Sequence, residues 1–113
     1  MKLAIVGSRT FRNYDLLNEY LKPHASKISL IISGGAKGAD YLAEIFAKEN
    51  SIPIKIFVPD WDKYGKKAGY LRNVDIIKAC DAVVAFWDGK SKGTEHDIKL
   101  ADEHHKFCII TRF

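Results

Sequence analysis

The side chains best suited to chemistry gather around a few of the eight glycines in this 113-residue chain. The clearest group is Ser33-Gly34-Gly35-Ala36-Lys37-Gly38-Ala39-Asp40, which follows an apolar run and leads into a helical pattern. Glycines remove Cβ bulk, so backbone N–H groups can close on a phosphate while the following helix adds its positive N-terminal end. The same residues would equally make a tight strand-to-helix turn, and both readings stand at this point. No Gly-Lys-Ser/Thr closes the loop and the Gly-x-Gly-x-x-Gly spacing is missing, which excludes a Walker A site and gives no indication of an NAD enzyme. A second cradle is expected at 87–96, where Ser91, Gly93 and Thr94 open a helix and Lys90 and Lys92 could neutralise phosphate charge. The first loop contributes Gly7, Ser8 and Arg9, the last as a source of charge-assisted hydrogen bonds. Trp61, Tyr64 and Trp87 could stack on a base, or simply cover the sheet edge.

Those loops need a scaffold, and the hydrophobic pattern supplies one. Apolar runs at 3–6, 28–32, 52–58, 82–86 and 107–111 lack the alternation of half-wet strands and read as strands buried on both faces. Between them lie four helical segments, marked by Leu17/Tyr20/Leu21, Leu42/Ile45/Phe46, Val74/Ile77 and Ile98/Ala101. Asn13, Asp40 and Thr94 are the expected helix caps. The alternation predicts an α/β fold, a Rossmann-like three-layer αβα sandwich on a five-stranded parallel sheet in the order 3-2-1-4-5. All the loops named above then share the carboxyl edge of the sheet, where ligands bind at the switch in strand order.

Composition bounds the rest. Length and a 47% hydrophobic content predict a single domain over 1–113, with no linker or repeat. Cys80 and Cys108 sit in apolar runs without metal-ligand spacing, so neither a disulfide framework nor a cysteine zinc site is expected, and a cytoplasmic location is. The first apolar run is too short for a signal peptide or a membrane span. The net charge of +4 suits phosphate-bearing ligands but is too mild to indicate nucleic acid by itself. His104 and His105 are neighbours that point apart, His96 is expected to cap or to sit on the surface, and no metal or cofactor is predicted.

Four segments in order resemble the SLOG superfamily: Gly-Ser-Arg (7–9), the 33–40 loop, Ala-Gly-Tyr-Leu-Arg-Asn (68–73) and Ser-Lys-Gly-Thr (91–94). That superfamily joins the DNA-processing protein A (Smf) proteins and the Lonely Guy phosphoribohydrolases; the chain looks most like its small, single-domain YspA branch, related to YpsA. The resemblance runs from Lys2 to about Ala101. It implies a SLOG-type Rossmann-like domain whose ligand-binding set adds Arg72 and Asn73 to the loop residues. Lonely Guy enzymes carry a catalytic Arg before the fourth strand and a Pro-Gly-Gly-x-Gly-Thr-x-x-Glu loop. Arg72 stands at a similar spacing, and Asp97 stands where the Glu would, one methylene shorter and after a longer loop with fewer glycines. The binding cradle therefore transfers better than the catalysis.

The expected function is binding of a nucleotide or nucleotide derivative, as sensor or processing domain. If the chain is an enzyme, the resemblance points to N-glycosidic cleavage of nucleoside monophosphates, with Arg72 and Asp97 as the catalytic pair and Glu95 in reserve. Binding of single-stranded nucleic acid by Lys63, Lys66, Lys67 and Arg72 around Trp61, Tyr64 and Tyr70 is the less favoured alternative. No membrane partner is expected, and the resemblance makes a homodimer a candidate assembly.

Overall fold

A computed structural model describes residues 1–113. Its five strands are β1 (Lys2–Gly7), β2 (Leu30–Ser33), β3 (Ile54–Ile56), β4 (Ala82–Trp87) and β5 (Phe107–Arg112). They form one parallel sheet in the order β3-β2-β1-β4-β5, as the alternation predicts. The helices are α1 (Tyr14–Leu21), α2 (Ala39–Glu49), the single turn α3 (Trp61–Tyr64), α4 (Ala68–Ala79) and α5 (Lys92–Glu103). Short 3₁₀ turns follow α1 and α3.

Two apolar layers hold the sheet. Successive strand residues point to opposite faces, and in β1 both faces are apolar. Leu3 and Ile5 join Phe86, Leu17 and Phe46 under α1 and α2, where Phe11 stacks on Phe86 at 4.5 Å. On the other face Ala4 and Val6 pack with Val83, Ile76, Ile77 and Leu100 under α4 and α5. Alanines at 4 and 85 let those two helices sit close to the sheet.

The expectation of strands buried on both faces holds for the central ones and fails at the edges. Lys55 and Ile56 of β3 are exposed, as are Phe107, Ile109 and Ile110 of β5; α5 packs along one face of β5, where Cys108 is half-buried against the core, and the rest of the strand is open. β2 and β3 are also shorter than their apolar runs, whose ends pack as loop. Two of the three expected caps move. Asn13 caps α1, accepting from the Leu16 N–H at 3.0 Å, but α5 is capped by Ser91 and α2 begins after Gly38. Thr94 lies one turn into α5 and Asp40 inside the first turn of α2, so both point at the sheet edge instead of closing a helix end.

Gly38 explains how two loops meet there. Its φ is +77°, and a Cβ would strike the Ser8 carbonyl and the Arg9 backbone. Only glycine lets the 33–40 loop run backbone to backbone against the loop after β1.

Candidate functional site

The strand order reverses between β1 and β4, and a cleft of about 110 Å³ opens above that point. Gly7 ends β1 and Arg9 comes from the loop after it, Ala36 from the loop after β2 and Asp40 from the first turn of α2. Arg72 and Asn73 come from α4, and Ser91, Gly93, Thr94 and Asp97 from the start of α5. Val6 and Ile76 form an apolar floor.

Arg72 is fixed at both ends of its guanidinium. Its Nη1 donates to the Gly34 carbonyl at 2.6 Å and its Nε to Asn73 Oδ1 at 3.0 Å. A Cβ on Gly34 would lie 2.5 Å from Arg72 Nη1 and 3.0 Å from Asp40 Oδ2, so glycine is what admits both groups. Asn73 continues the chain of bonds: its Nδ2 lies 3.1 Å from His96 Nδ1. Because Asn73 Oδ1 already accepts from Arg72, its amide nitrogen is the donor, and this assignment puts the histidine proton on Nε2. His96 Nε2 is buried without a hydrogen-bond partner. Burial holds the imidazole below its usual pKa, with Lys99 adding to the effect and Glu103 opposing it. Tyr70 stacks on the ring at 4.4 Å between centroids.

Two buried carboxyls face this cationic arrangement. Asp40 is 7% exposed and accepts from the Ala36 N–H at 3.1 Å. Burial raises its pKa, against the pull of the Ala36 N–H and Arg72. Asp97 is 6% exposed, and burial followed by the Asp40 charge pushes it up to about 8, with Arg72 opposing. Asp97 Oδ1 has no hydrogen-bond partner. Neither carboxyl forms an ion pair with Arg72; the side chains within ion-pair distance are Lys99 and Glu95, on the outer face of α5. The cleft thus offers a fixed guanidinium, hydroxyls of Ser91 and Thr94, and a carboxyl that is an acid at neutral pH.

Not every residue expected at the site lines this cleft. Gly35, Lys37 and Gly38 face a separate, shallower hollow with Arg12, Tyr41 and Glu44. Ser33 is buried beneath the loop, and Gly34 contributes through its carbonyl. Ser8 is also buried, and its hydroxyl accepts from the Asp88 N–H at 3.2 Å, tying the β1 and β4 loops together. Asp88 in turn accepts from the Lys90 and Ser91 N–H groups, which hold its carboxyl below the usual range. Trp87 donates to the Ser91 carbonyl at 3.0 Å and lies under the Arg112 guanidinium, so its ring is already engaged. Trp61 stands outside on α3, 56% exposed. The pairing of Tyr70, His96 and Asn73 was missed from sequence, because residues 23 apart on two helices carry no local signal of contact. No group of three or more His, Cys, Asp or Glu side chains is placed to hold a metal ion. No helix is long and apolar enough to cross a membrane.

Comparison with known proteins fits this fold. The model of the YspA, cpYpsA-related SLOG family (YAcAr) matches residues 1–64. The Gene 61 protein of Mycobacterium phage D29 is 34% identical, over 90% of this chain and 89% of its own. DNA processing protein A from Helicobacter pylori, solved for its single-stranded DNA binding mode, is similar in structure with a TM-score of 0.75 and 22% identity. The likeness covers 97% of this chain and 64% of that one. DNA processing protein A from Streptococcus pneumoniae gives a TM-score of 0.81 at 20% identity, over 96% of this chain and 49% of that one. The chain therefore spans under two thirds of either protein, and at these identities the likeness is one of fold. The sequence relations reach further: the chain belongs to the YspA, cpYpsA-related SLOG family.

Proposed function

We infer that the cleft binds the phosphate and ribose of a nucleotide-type ligand. The observation that carries this reading is Asp97: a carboxyl 6% exposed, with an unpartnered oxygen, in a cleft shared with a doubly anchored arginine. A buried polar atom left unpaired is costly, and a ligand hydroxyl or phosphate oxygen would satisfy it. Arg72 supplies charge-assisted bonds to phosphate, and the first turn of α5 adds its positive end. An incoming phosphate anion disfavours ionisation of Asp97 further, so the carboxyl enters the complex as a donor.

N-glycosidic cleavage asks for a different state. An oxocarbenium-like transition state is stabilised by an anion beside the ribose, whereas burial keeps Asp97 protonated near pH 7. Binding without turnover is therefore the function the cleft favours. Titration calorimetry with adenosine 5′-monophosphate, ADP-ribose and ribose 5-phosphate tests it. Heat from any of them that is lost in an Arg72→Ala variant supports the reading; no heat from the wild type overturns it.

A second reading, single-stranded DNA binding, rests on the surface beside the cleft. Trp61, Tyr64 and Tyr70 are 56%, 45% and 56% exposed, with Lys63, Lys66 and Lys67 exposed among them. Stacking rings among cations suit an unpaired strand, and the Helicobacter protein of similar fold binds single-stranded DNA. Ionic strength separates the two. Affinity for an oligonucleotide should fall steeply with salt, each neutralised phosphate adding about 0.7 to the slope of log K against log salt, while one mononucleotide gives a shallow slope.

A further inference from the structure

We propose that the open face of Tyr70 is the platform on which the ligand's nucleobase stacks, set at a fixed offset from the phosphate-binding groups by the chain Tyr70–His96–Asn73–Arg72. The proposal rests on the reading of the cleft as a nucleotide site and names the element that recognises the base.

The other exposed rings at this edge are less suited. Trp87 is held by the Ser91 carbonyl and covered by Arg112, and Tyr64 already carries the Lys63 ammonium at 5.1 Å from its centroid. Trp61 belongs to a single-turn helix with no buried residue, and its ring reaches Gly69 of α4 without an aromatic partner to fix its plane. Tyr41 faces the shallower hollow on the far side of the 33–40 loop. Tyr70 differs in having one face committed and the other free. His96 lies nearly parallel to it, with 23° between the ring planes, yet Tyr70 remains 56% exposed. No other aromatic ring or cation covers its second face.

Rigidity is the second argument. His96 cannot turn without breaking its bond to Asn73, Asn73 holds Arg72 Nε, and Arg72 holds the Gly34 carbonyl. A base platform and a phosphate-binding guanidinium are thereby joined through one stack and two hydrogen bonds, and a third bond, to the Gly34 carbonyl, anchors the guanidinium. Pre-organisation of this kind reduces the ordering a ligand must impose when it binds. The imidazole under the ring is neutral, because burial opposes its protonation, so Tyr70 presents an ordinary electron-rich face outward. Every base has a face to stack, so the platform fixes the presence of a base and leaves its identity to other contacts.

The test compares a ligand with a base and one without. Calorimetry is run with adenosine 5′-monophosphate and ribose 5-phosphate on the wild type, Tyr70→Ala, Tyr70→Leu and Tyr70→Phe. Tyr70→Ala should weaken the mononucleotide by about 5- to 30-fold, the lower part of the range for base–aromatic stacking, and leave ribose 5-phosphate unchanged. Tyr70→Leu still covers His96 and keeps the fold, checked by circular dichroism, but should behave like Tyr70→Ala. Tyr70→Phe should bind like the wild type. Equal losses for both compounds, or an unmoved mononucleotide affinity in Tyr70→Ala and Tyr70→Leu, overturn the platform alone. A wild type that binds neither compound overturns the cleft reading and the platform with it.

Discussion

Replacing Asp97 by asparagine should change how stability depends on pH, in a direction the structure dictates. An aspartate ordinarily ionises at 3.8, whereas in the folded chain Asp97 does so at about 8. Between those values the folded state holds a proton that the unfolded state has released. Stability from this group is therefore complete below about pH 4 and is lost as pH rises toward 8. The slope is about 1.36 kcal/mol per pH unit for one proton, so the wild type should lose about 2–3 kcal/mol from this group between pH 5.5 and 7.5. The asparagine amide cannot ionise and removes that loss.

Other groups must be set apart. His96 works in the opposite sense: its pKa is lowered, so its contribution is lost as pH falls through its range, but it is present in both proteins and cancels in the difference. Asp40 is raised mainly by its own burial, and Asp97 is not among the groups that move it, so its contribution is common to both proteins and cancels in the difference as well. Cys80 and Cys108 are both raised above 9.0 and Tyr14 to about 12, outside the window. Urea unfolding followed by tryptophan fluorescence at half-unit steps of pH gives both profiles. The difference in stability should shift toward the variant by about 2–3 kcal/mol across those two pH units. Parallel profiles would show that Asp97 ionises normally and that burial does not control it.

Two further substitutions test the scaffold of the site. Gly38→Ala combines a φ of +77° with a Cβ driven into the Ser8 carbonyl, and should cost about 2–4 kcal/mol in urea unfolding. Gly93→Ala is its control: a Cβ there meets nothing within 4 Å, so a loss of similar size would refute the steric argument. Arg72→Lys keeps the charge but cannot bond the Gly34 carbonyl and Asn73 Oδ1 together. It should destabilise by about 1–2 kcal/mol and weaken ribose 5-phosphate binding in calorimetry, whereas unchanged values for both would deny the guanidinium its positioning role.

How much of this could be read beforehand follows from which information is local. Strand order was legible because apolar runs alternating with helical patterns permit few topologies once crossovers are right-handed. The carboxyl-edge position of the glycine loops came with it. Burial at the rims was not legible: the apolar run at 107–111 looks like that at 82–86, and only the place of β5 at the sheet edge, with a neighbouring strand on one side alone, separates it from β4. Arg72, Asp97 and the 91–94 turn, which share the cleft, stood out in the sequence because each belongs to a short motif. Ser8 and Trp87 carry the same kinds of polar atoms, but their partners, Asp88 and Ser91, turn them into ties between loops. A motif names the donor and cannot say whether protein or ligand receives the bond.

The two carboxyls give the site its particular chemistry. A cleft built only to attract phosphate would not place Asp40 and Asp97 beside Arg72, because two carboxylates would cancel the guanidinium and repel the ligand. The arrangement becomes consistent once protonation is counted. Desolvation disfavours both charges, the Asp40 carboxylate further disfavours that of Asp97, and Arg72 can stabilise at most part of what remains. Asp40 is further engaged by the Ala36 N–H, so Asp97 is the group that carries the proton near neutrality. A buried acid with a free oxygen can donate to an anionic ligand where a carboxylate could not. Ligand affinity at this cleft should accordingly weaken as pH rises through about 8, and Asp97→Asn, which keeps a donor at every pH, should abolish that dependence. An affinity that instead strengthens with pH would mean the ligand recruits the carboxylate, and would return the anionic role, and with it base cleavage, to Asp97.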